Sequence, residues 1–200
     1  MDAERKHFLP LEPQGIPLNY LPLNSDPTFH SYEIERIDMK LKKDRVNEGR
    51  LKQIEQEMLA RVEEMARVMR DDLRKQILPT QVCGIAQNVL PLDQDTPFHD
   101  LEIAAIKAQK DGDSTKAQDL ADALTKRAID VAVKSQQEVR LQLGAPLGFT
   151  IDELELHRDK NYLQKEAELI TLRSKAAMMS SVKANESQSI PASHNLHEAE

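Results

Sequence analysis

Residues 21–34, LPLNSDPTFHSYEI, return at 90–103 as LPLDQDTPFHDLEI, and this internal duplication constrains the fold more than any other feature of the chain. At a constant offset of 69, nine of the seventeen positions from 21 to 37 are identical. Leu21, Pro22, Leu23, Asp26, Phe29, His30, Glu33, Ile34 and Ile37 match Leu90, Pro91, Leu92, Asp95, Phe98, His99, Glu102, Ile103 and Ile106. Ordinary residue usage would supply roughly one or two such matches. Similarity fades beyond this segment and returns faintly at the ends of the long helical stretches, where RKQILPTQVCGI (74–85) echoes RLQLGAPLGFTI (140–151). The chain therefore reads as two degenerate copies of one unit, each an extended Leu-Pro-Leu lead-in, a short helix and a long helix.

The shared positions mark helix starts and one helix face. Asp26 before Pro27, and Asp95 or Thr96 before Pro97, put a capping side chain ahead of a proline at the first helical position. At about 100° per residue, Phe29, Glu33, Ile37, His30 and Ile34 fall on one arc about 140° wide. Ser31, Tyr32, Glu35 and Arg36 lie outside it and differ from their counterparts Asp100, Leu101, Ala104 and Ala105. The expected interaction seam is thus Phe29, His30, Glu33, Ile34 and Ile37, used again as Phe98, His99, Glu102, Ile103 and Ile106.

The rest of the chain is helical between clear breaks. From about Asn47 to Leu78, apolar residues stand at Leu51, Ile54, Met58, Val62, Met65, Met69 and Leu73, an eleven-residue pattern that gives a nearly straight stripe rather than a heptad seam. DGDS at 111–114 makes a turn with Ser114 as N-cap, GAPLG at 144–148 breaks the next helix, and a last helix is expected from about Ile151 to Met179. Pro10, Pro13, Pro17, Pro22 and Pro27 make residues 8–27 an arm whose leucines and isoleucine must cover another part of the chain or a neighbour. The predicted organisation is an extended Pro-rich arm (1–26), helical repeat 1 (27–78), an extended linker (79–96), helical repeat 2 (97–143), a C-terminal helix (149–181) and a disordered tail (182–200). The predicted fold is all-α and elongated, with 4% aromatic residues and no Trp favouring thin packing of Leu, Ile, Val, Met and Ala.

Charge and chemistry narrow the function. A formal charge of −7 gains nothing from counterion release at phosphates, so no nucleic-acid partner is expected. The single cysteine, Cys83, excludes an internal disulfide framework and a multi-cysteine zinc site, and fits a reducing compartment. The first residues lack a secretory pattern and no apolar run is long enough to span a bilayer, so the expected location is the cytoplasm, or a particle assembled inside the cell, with no membrane partner.

The His30-x-x-Glu33 and His99-x-x-Glu102 pairs are the sharpest chemical candidates. Brought together they could ligate zinc or a di-iron centre, but di-iron bundles carry Glu-x-x-His in the opposite order. Hydrogen bonding across one helical turn, or to backbone groups, needs fewer assumptions. Glu153 and His157 share ligand-like spacing that is common on solvated helices, and Cys83 has no local nucleophile signature. There is no phosphate loop, dinucleotide glycine pattern or nucleophile elbow.

No cofactor and no catalysis are expected. The sequence points to a structural or assembly protein acting through helical self-association, as a homo-oligomer or within a larger assembly such as a virion, with the arm docked on a partner. A helical adaptor or chaperone that receives a partner's segment is the alternative, followed by a metal-binding helical enzyme using His30/Glu33 and His99/Glu102.

Overall fold

Proline excludes α-helix from the lead-ins, and isolated 3-10 turns fold them instead: Pro13–Gly15, Leu18–Tyr20 and Leu23–Ser25 in copy 1, Gln87–Val89 and Leu92–Gln94 in copy 2. The computed structural model describes residues 2–42, 48–144 and 154–188. Its helices are α1 (Asp2–Arg5), α2 (Pro27–Lys42), α3 (Glu48–Ile77), α4 (Thr96–Asp111), α5 (Ser114–Leu143) and α6 (Lys160–Gln188). A two-residue hairpin, β1 (Gln81–Val82) with β2 (Ile85–Ala86), supplies the strands among the described residues. The protein is all-α, built from two degenerate copies of lead-in, short helix and long helix, followed by a C-terminal helix.

The two copies superpose in sequence more completely than residues 21–37 alone indicate. The short helices α2 and α4 both have 16 residues and start 69 apart, and the long helices α3 and α5 both have 30 residues and start 66 apart. The change of offset lies in the connections, five residues (43–47) after α2 and two, Gly112 and Asp113, after α4. At the second connection Gly112 takes φ +78 to end α4, and Asp113 Oδ1 accepts the Lys116 amide at 3.0 Å. Asp113, not Ser114, therefore caps α5, because only the residue ahead of the first helical position can turn its side chain back onto the free amides.

Caps also fix the starts of α2, α4 and α6. Asp26 Oδ1 accepts the Phe29 amide at 2.7 Å and Asp95 Oδ1 the Phe98 amide at 2.9 Å. Asp159 accepts the Asn161 and Tyr162 amides at 2.9 and 3.1 Å, so α6 begins at Lys160, nine residues after the expected Ile151, and helix continues to Gln188, beyond the expected Met179. Residues 151–153 and the end of the expected disordered tail, 189–200, lie outside the described residues.

Contacts divide the chain into two compact units, one of Met1–Leu78 with Leu92–Ala128, the other of Pro79–Pro91 with Ile129–Glu200. In the first, the expected stripe of α3 is inward: Ile54, Met58, Val62, Met65 and Leu73 are buried, with Leu51 and Met69 half-buried at its margins. Residues 8–27 are not a free arm. Leu9, Ile16, Leu18, Leu21 and Leu23 are buried inside the first unit, because five prolines separated by apolar residues let the chain fold back over α3 and α4 while the 3-10 turns satisfy its backbone. In the second unit Val82, Ile85, Val89 and Leu90 are buried in the same way.

One glycine turn recurs in both lead-ins. Gln14-Gly15 (φ +49, +81) and Cys83-Gly84 (φ +51, +80) are left-handed pairs, each followed by a fully buried isoleucine, Ile16 or Ile85. Left-handed backbone favours glycine at both sites. Space separates them: a Cβ on Gly15 would lie 2.2 Å from Ile103 Cδ1, whereas one on Gly84 would meet nothing within 4 Å. Gly84→Ala is expected to cost about 1 kcal/mol and Gly15→Ala about 2–4 kcal/mol through added overpacking. Urea denaturation of the two variants checks the order, and equal costs would mean that Ile103 simply swings aside.

Candidate functional site

The matched glutamates are buried, and burial of a carboxylate demands a partner. Glu33 is 7% exposed and Glu102 is 0% exposed. The histidines one turn away do not meet the need. His30 Nδ1 stands 3.7 Å from Glu33 and His99 Nδ1 3.8 Å from Glu102, too far for hydrogen bonds, and His30 faces solvent. The expected bond across one turn is therefore replaced by something the duplication alone did not reveal.

Arginines from the preceding helix ends supply the partners. Arg5, the last residue of α1, binds Glu33 with both prongs, Nε to Oε1 at 2.6 Å and Nη2 to Oε2 at 2.8 Å. Arg74, near the end of α3, holds Glu102 identically, through Nε to Oε1 and through Nη2 to Oε2 at 2.9 Å. Each guanidinium also lies near the ring of the matched phenylalanine, 5.4 Å from the Phe29 centroid and 5.5 Å from that of Phe98, and both rings are fully buried. Each donates a further bond into its lead-in, Arg5 to Asn24 at 2.9 Å and Arg74 to Asp93 at 2.7 Å.

A third clamp of the same design sits at the start of α6. Arg140, near the end of α5, donates from Nε and Nη2 to the two oxygens of buried Glu166 at 2.6 and 2.8 Å and lies 5.9 Å from the Tyr162 ring. Asp26, Phe29, Glu33 and Ile37 thus correspond to Asp95, Phe98, Glu102 and Ile106 and to Asp159, Tyr162, Glu166 and Ile170. A 3-10 turn immediately precedes each capping aspartate, Leu23–Ser25, Leu92–Gln94 and Leu156–Arg158.

A second arginine ties the long helix of each copy to its own short helix. Arg61 donates from Nε to Asp26 Oδ1 at 3.2 Å and from Nη2 to Oδ2, and Arg127 holds Asp95 in the same way at 2.9 and 2.7 Å. The capping carboxylates therefore serve the helix end and the long helix at once. The Arg61 hydrogen bond holds the Asp26 carboxyl below its ordinary range. Burial alone pushes Glu33 up, but the bonds and charge of Arg5 more than offset it and leave that group low as well. The Arg74 bond likewise lowers Asp93.

The long helices also reach their lead-in turns. Arg70 donates to Gln14 Oε1 at 2.9 Å and contacts His99 Nδ1 at 2.7 Å; arginine only donates, so that nitrogen accepts. Gln136, the α5 counterpart of Arg70, donates to the Cys83 carbonyl at 3.2 Å. Each lead-in in turn runs along the next short helix. Glu12 pairs with Lys107, Gly15 packs on Ile103 and Tyr20 bonds Asp111 at 2.6 Å; in the second unit the Val89 carbonyl accepts from Ser174 at 3.1 Å. Where Ala167 takes the place of Ile103, the packing leaves an open groove of about 870 Å³ bordered by Cys83, Gly84 and Leu172.

The ten expected seam residues consequently part company. Phe29, Glu33, Phe98, Glu102 and Ile106 are inside the first unit, where a partner cannot reach them, because the arginine clamps pin the Phe/Glu side of the arc inward. Ile34 and Ile37 are exposed with His30, while His99 and Ile103 are half-buried. Among the described residues no group of three or more His, Cys, Asp or Glu is placed to hold a metal ion. Cys83 is exposed and Glu153 lies outside the described residues. The arginines were missed although Arg5, Lys6, Leu9, Pro10, Gly15, Ile16 and Asn19 match Arg74, Lys75, Leu78, Pro79, Gly84, Ile85 and Asn88 at the same offset of 69. Extending the alignment upstream would have found them.

A family profile described as a domain of unknown function, DUF7623, matches residues 9–72 and 78–138. The chain belongs to this family. No curated protein and no solved structure matches it. The two DUF7623 copies leave every clamp arginine outside the matched residues: Arg5 four before the first copy, Arg74 four before the second, and Arg140 just after it. Each clamp ties the end of one helix to the next short or C-terminal helix along the chain: α1 to α2, α3 to α4 and α5 to α6.

Removing one member of such a buried pair strands the other's charge, at a cost of about 3–5 kcal/mol, whereas an apolar pair of similar size is often neutral. Arg74→Ala should lose stability on that scale, and Arg74→Met with Glu102→Leu should recover most of it; urea titrations that show no recovery would assign the cost to lost packing instead. Acid should also loosen the joints. Asp26 and Glu33 are held low in the folded protein, so their contribution is complete above the ordinary carboxylate range and disappears as pH falls through the depressed values. Urea midpoints should be level near neutrality and drop below about pH 4, less steeply in Arg61→Gln.

Proposed function

We propose that the protein is a non-enzymatic structural or assembly protein of the cytoplasm or of an intracellularly assembled particle, acting through helical self-association of its repeats. The observation that carries this reading is the clamp made three times with one design. Repeats whose contacts are chiefly with their neighbours build size and binding surface by addition, and they need no reactive pocket. The polar groups with the most elaborate surroundings, Glu33, Glu102 and Glu166, are each buried and held on both oxygens by a guanidinium, which supports a positional role for them. Among the described residues no helix is long and apolar enough to cross a membrane, which agrees with a role among protein partners.

A helical adaptor is the second reading, and Ile34, Ile37 and Leu41 favour it. They stand exposed in a row on α2, where a partner's segment can lie. Mass separates the readings. Light scattering of the purified full chain is expected to give a mass above the 22.7 kDa of one chain, rising with concentration. A mass fixed at one chain across the micromolar range would remove self-association and leave the adaptor.

A further inference from the structure

The long helices α3 and α5 are equivalent at an offset of 66, yet their outer faces are built differently. On α3 the outer row is Glu63, Arg67, Asp71 and Lys75, and ion pairs within the helix satisfy it: Arg67 with Glu64 at 2.8 Å and Asp71 at 3.8 Å, Lys75 with Asp72 at 3.1 Å. The matched row of α5 is Ile129, Val133, Gln137 and Leu141. Of these, Ile129 is 43% exposed, Val133 38% and Leu141 73%. Beside it runs a second row, Asp130, Lys134 and Glu138, all exposed and with no ion pair among the described residues. Both rows of α5 lie within the second unit.

α3 shows what this position needs for folding. A solvated row of paired charges is enough for a long helix of this design, so the fold does not call for aliphatic side chains there. Left in water on α5 they forgo burial that a second surface can supply. The neighbouring charges identify that surface. Residues four apart form adjacent ridges on a helix, and two antiparallel copies related by a two-fold axis set each ridge against itself in reverse order. With position 136 level with the axis, Lys134 falls opposite Glu138 of the second copy, Glu138 opposite its Lys134, and Asp130 opposite its Gln142. Ile129 then falls between Leu141 and Leu143 of the second copy, and Leu143 is 55% exposed. A parallel pair would instead set Lys134 against Lys134 and Glu138 against Glu138, and like charges repel.

We propose that the outer face of α5 from Ile129 to Leu143 is the surface through which two copies of this chain associate, antiparallel about a two-fold axis. Ile129, Val133 and Leu141 form its apolar row and the pairs of Lys134 with Glu138 its charged flank. The contact rests on the self-association proposed above and specifies its surface and symmetry. The same patch serves both chains, so association closes at a dimer. The 15 residues from Ile129 to Leu143 span about 22 Å. That is a small contact beside those of permanent dimers, and the pair therefore forms reversibly.

Sedimentation velocity of the full chain over a range of concentrations, at low salt, tests the surface. Wild type should pass from one chain to two as concentration rises and go no further. Val133→Arg/Leu141→Lys installs the residue types that α3 carries at these positions, Arg67 and Lys75. It should stay at the mass of one chain, or raise the apparent Kd at least about tenfold, with unchanged helix content. Lys134→Glu and Glu138→Lys should each weaken the dimer, because either sets like charges face to face. An equal mixture of the two, or Lys134→Glu/Glu138→Lys in one chain, should restore most of the lost affinity. If Val133→Arg/Leu141→Lys associates like wild type, the α5 face is not the surface, although assembly stands. Single charge variants that associate like wild type overturn the antiparallel pairing, and a wild-type series that runs past two chains overturns its closure. Wild type fixed at one chain removes the surface and the assembly reading together. Circular dichroism accompanies each variant, and where the double variant of the apolar row loses helix, the charge variants decide.

Discussion

The buried guanidinium–carboxylate pair is the interaction on which the structure depends. Glu102 is closed off from solvent, and without Arg74 no cation would stand closer to it than Arg70 Nη1 at 3.8 Å, so α4 docks where the end of α3 brings these arginines. A pair of this kind adds little net stability, because desolvation of both ions consumes most of their attraction. What it adds is position. The two-pronged geometry, the ring beside the guanidinium and the extra bond to Asn24 or Asp93 admit one placement of the short helix, and an apolar contact would admit several.

How much of this could be read from the sequence follows from what each residue does. Asp, Phe, Glu and Ile at fixed spacing announced the helix starts and their shared face, and the buried stripe of α3 was legible from its eleven-residue pattern. The arginines were not legible from composition, because most arginines stand on solvated surfaces; what sets Arg5 and Arg74 apart is their match at the repeat offset of 69, and each has its partner 28 residues away. The lead-in looked like an arm because proline bars helix; it is in fact buried, since single 3-10 turns satisfy a backbone that helix and sheet cannot. The third clamp was hidden because, although Asp159, Glu166 and Ile170 keep their types, Tyr162 replaces phenylalanine, Leu163 replaces histidine, and no Leu-Pro-Leu stands ahead of Asp159.

Copies and compact units do not coincide, and the lead-in is the reason. The copy 2 lead-in, residues 79–91, belongs with α6 and the later part of α5, while α4, which follows it in the same copy, belongs with copy 1. The lead-in of copy 1 therefore covers part of α4, and the lead-in of copy 2 part of α6. Removing the first 25 residues would take Arg5, Ile16 and Leu23 from the core of the first unit, so a truncation meant to free an arm would instead open that core.

This division of labour also explains how so few aromatic residues suffice. A globular core of this length would call for large side chains at its centre, but here each joint asks for a single ring, Phe29, Phe98 or Tyr162, and the long helices fill the remainder with interchangeable aliphatics. Met58 and Leu124, Val62 and Ala128, Met65 and Val131, Leu73 and Val139 are equivalent and all buried, yet none is identical between the copies. Apolar packing tolerates such exchange where volume is conserved nearby. A two-pronged ionic joint does not, because a shorter or differently shaped cation leaves a buried carboxylate oxygen without a donor. The copies can thus diverge along most of their length while Arg5–Glu33, Arg74–Glu102 and Arg140–Glu166 keep one geometry.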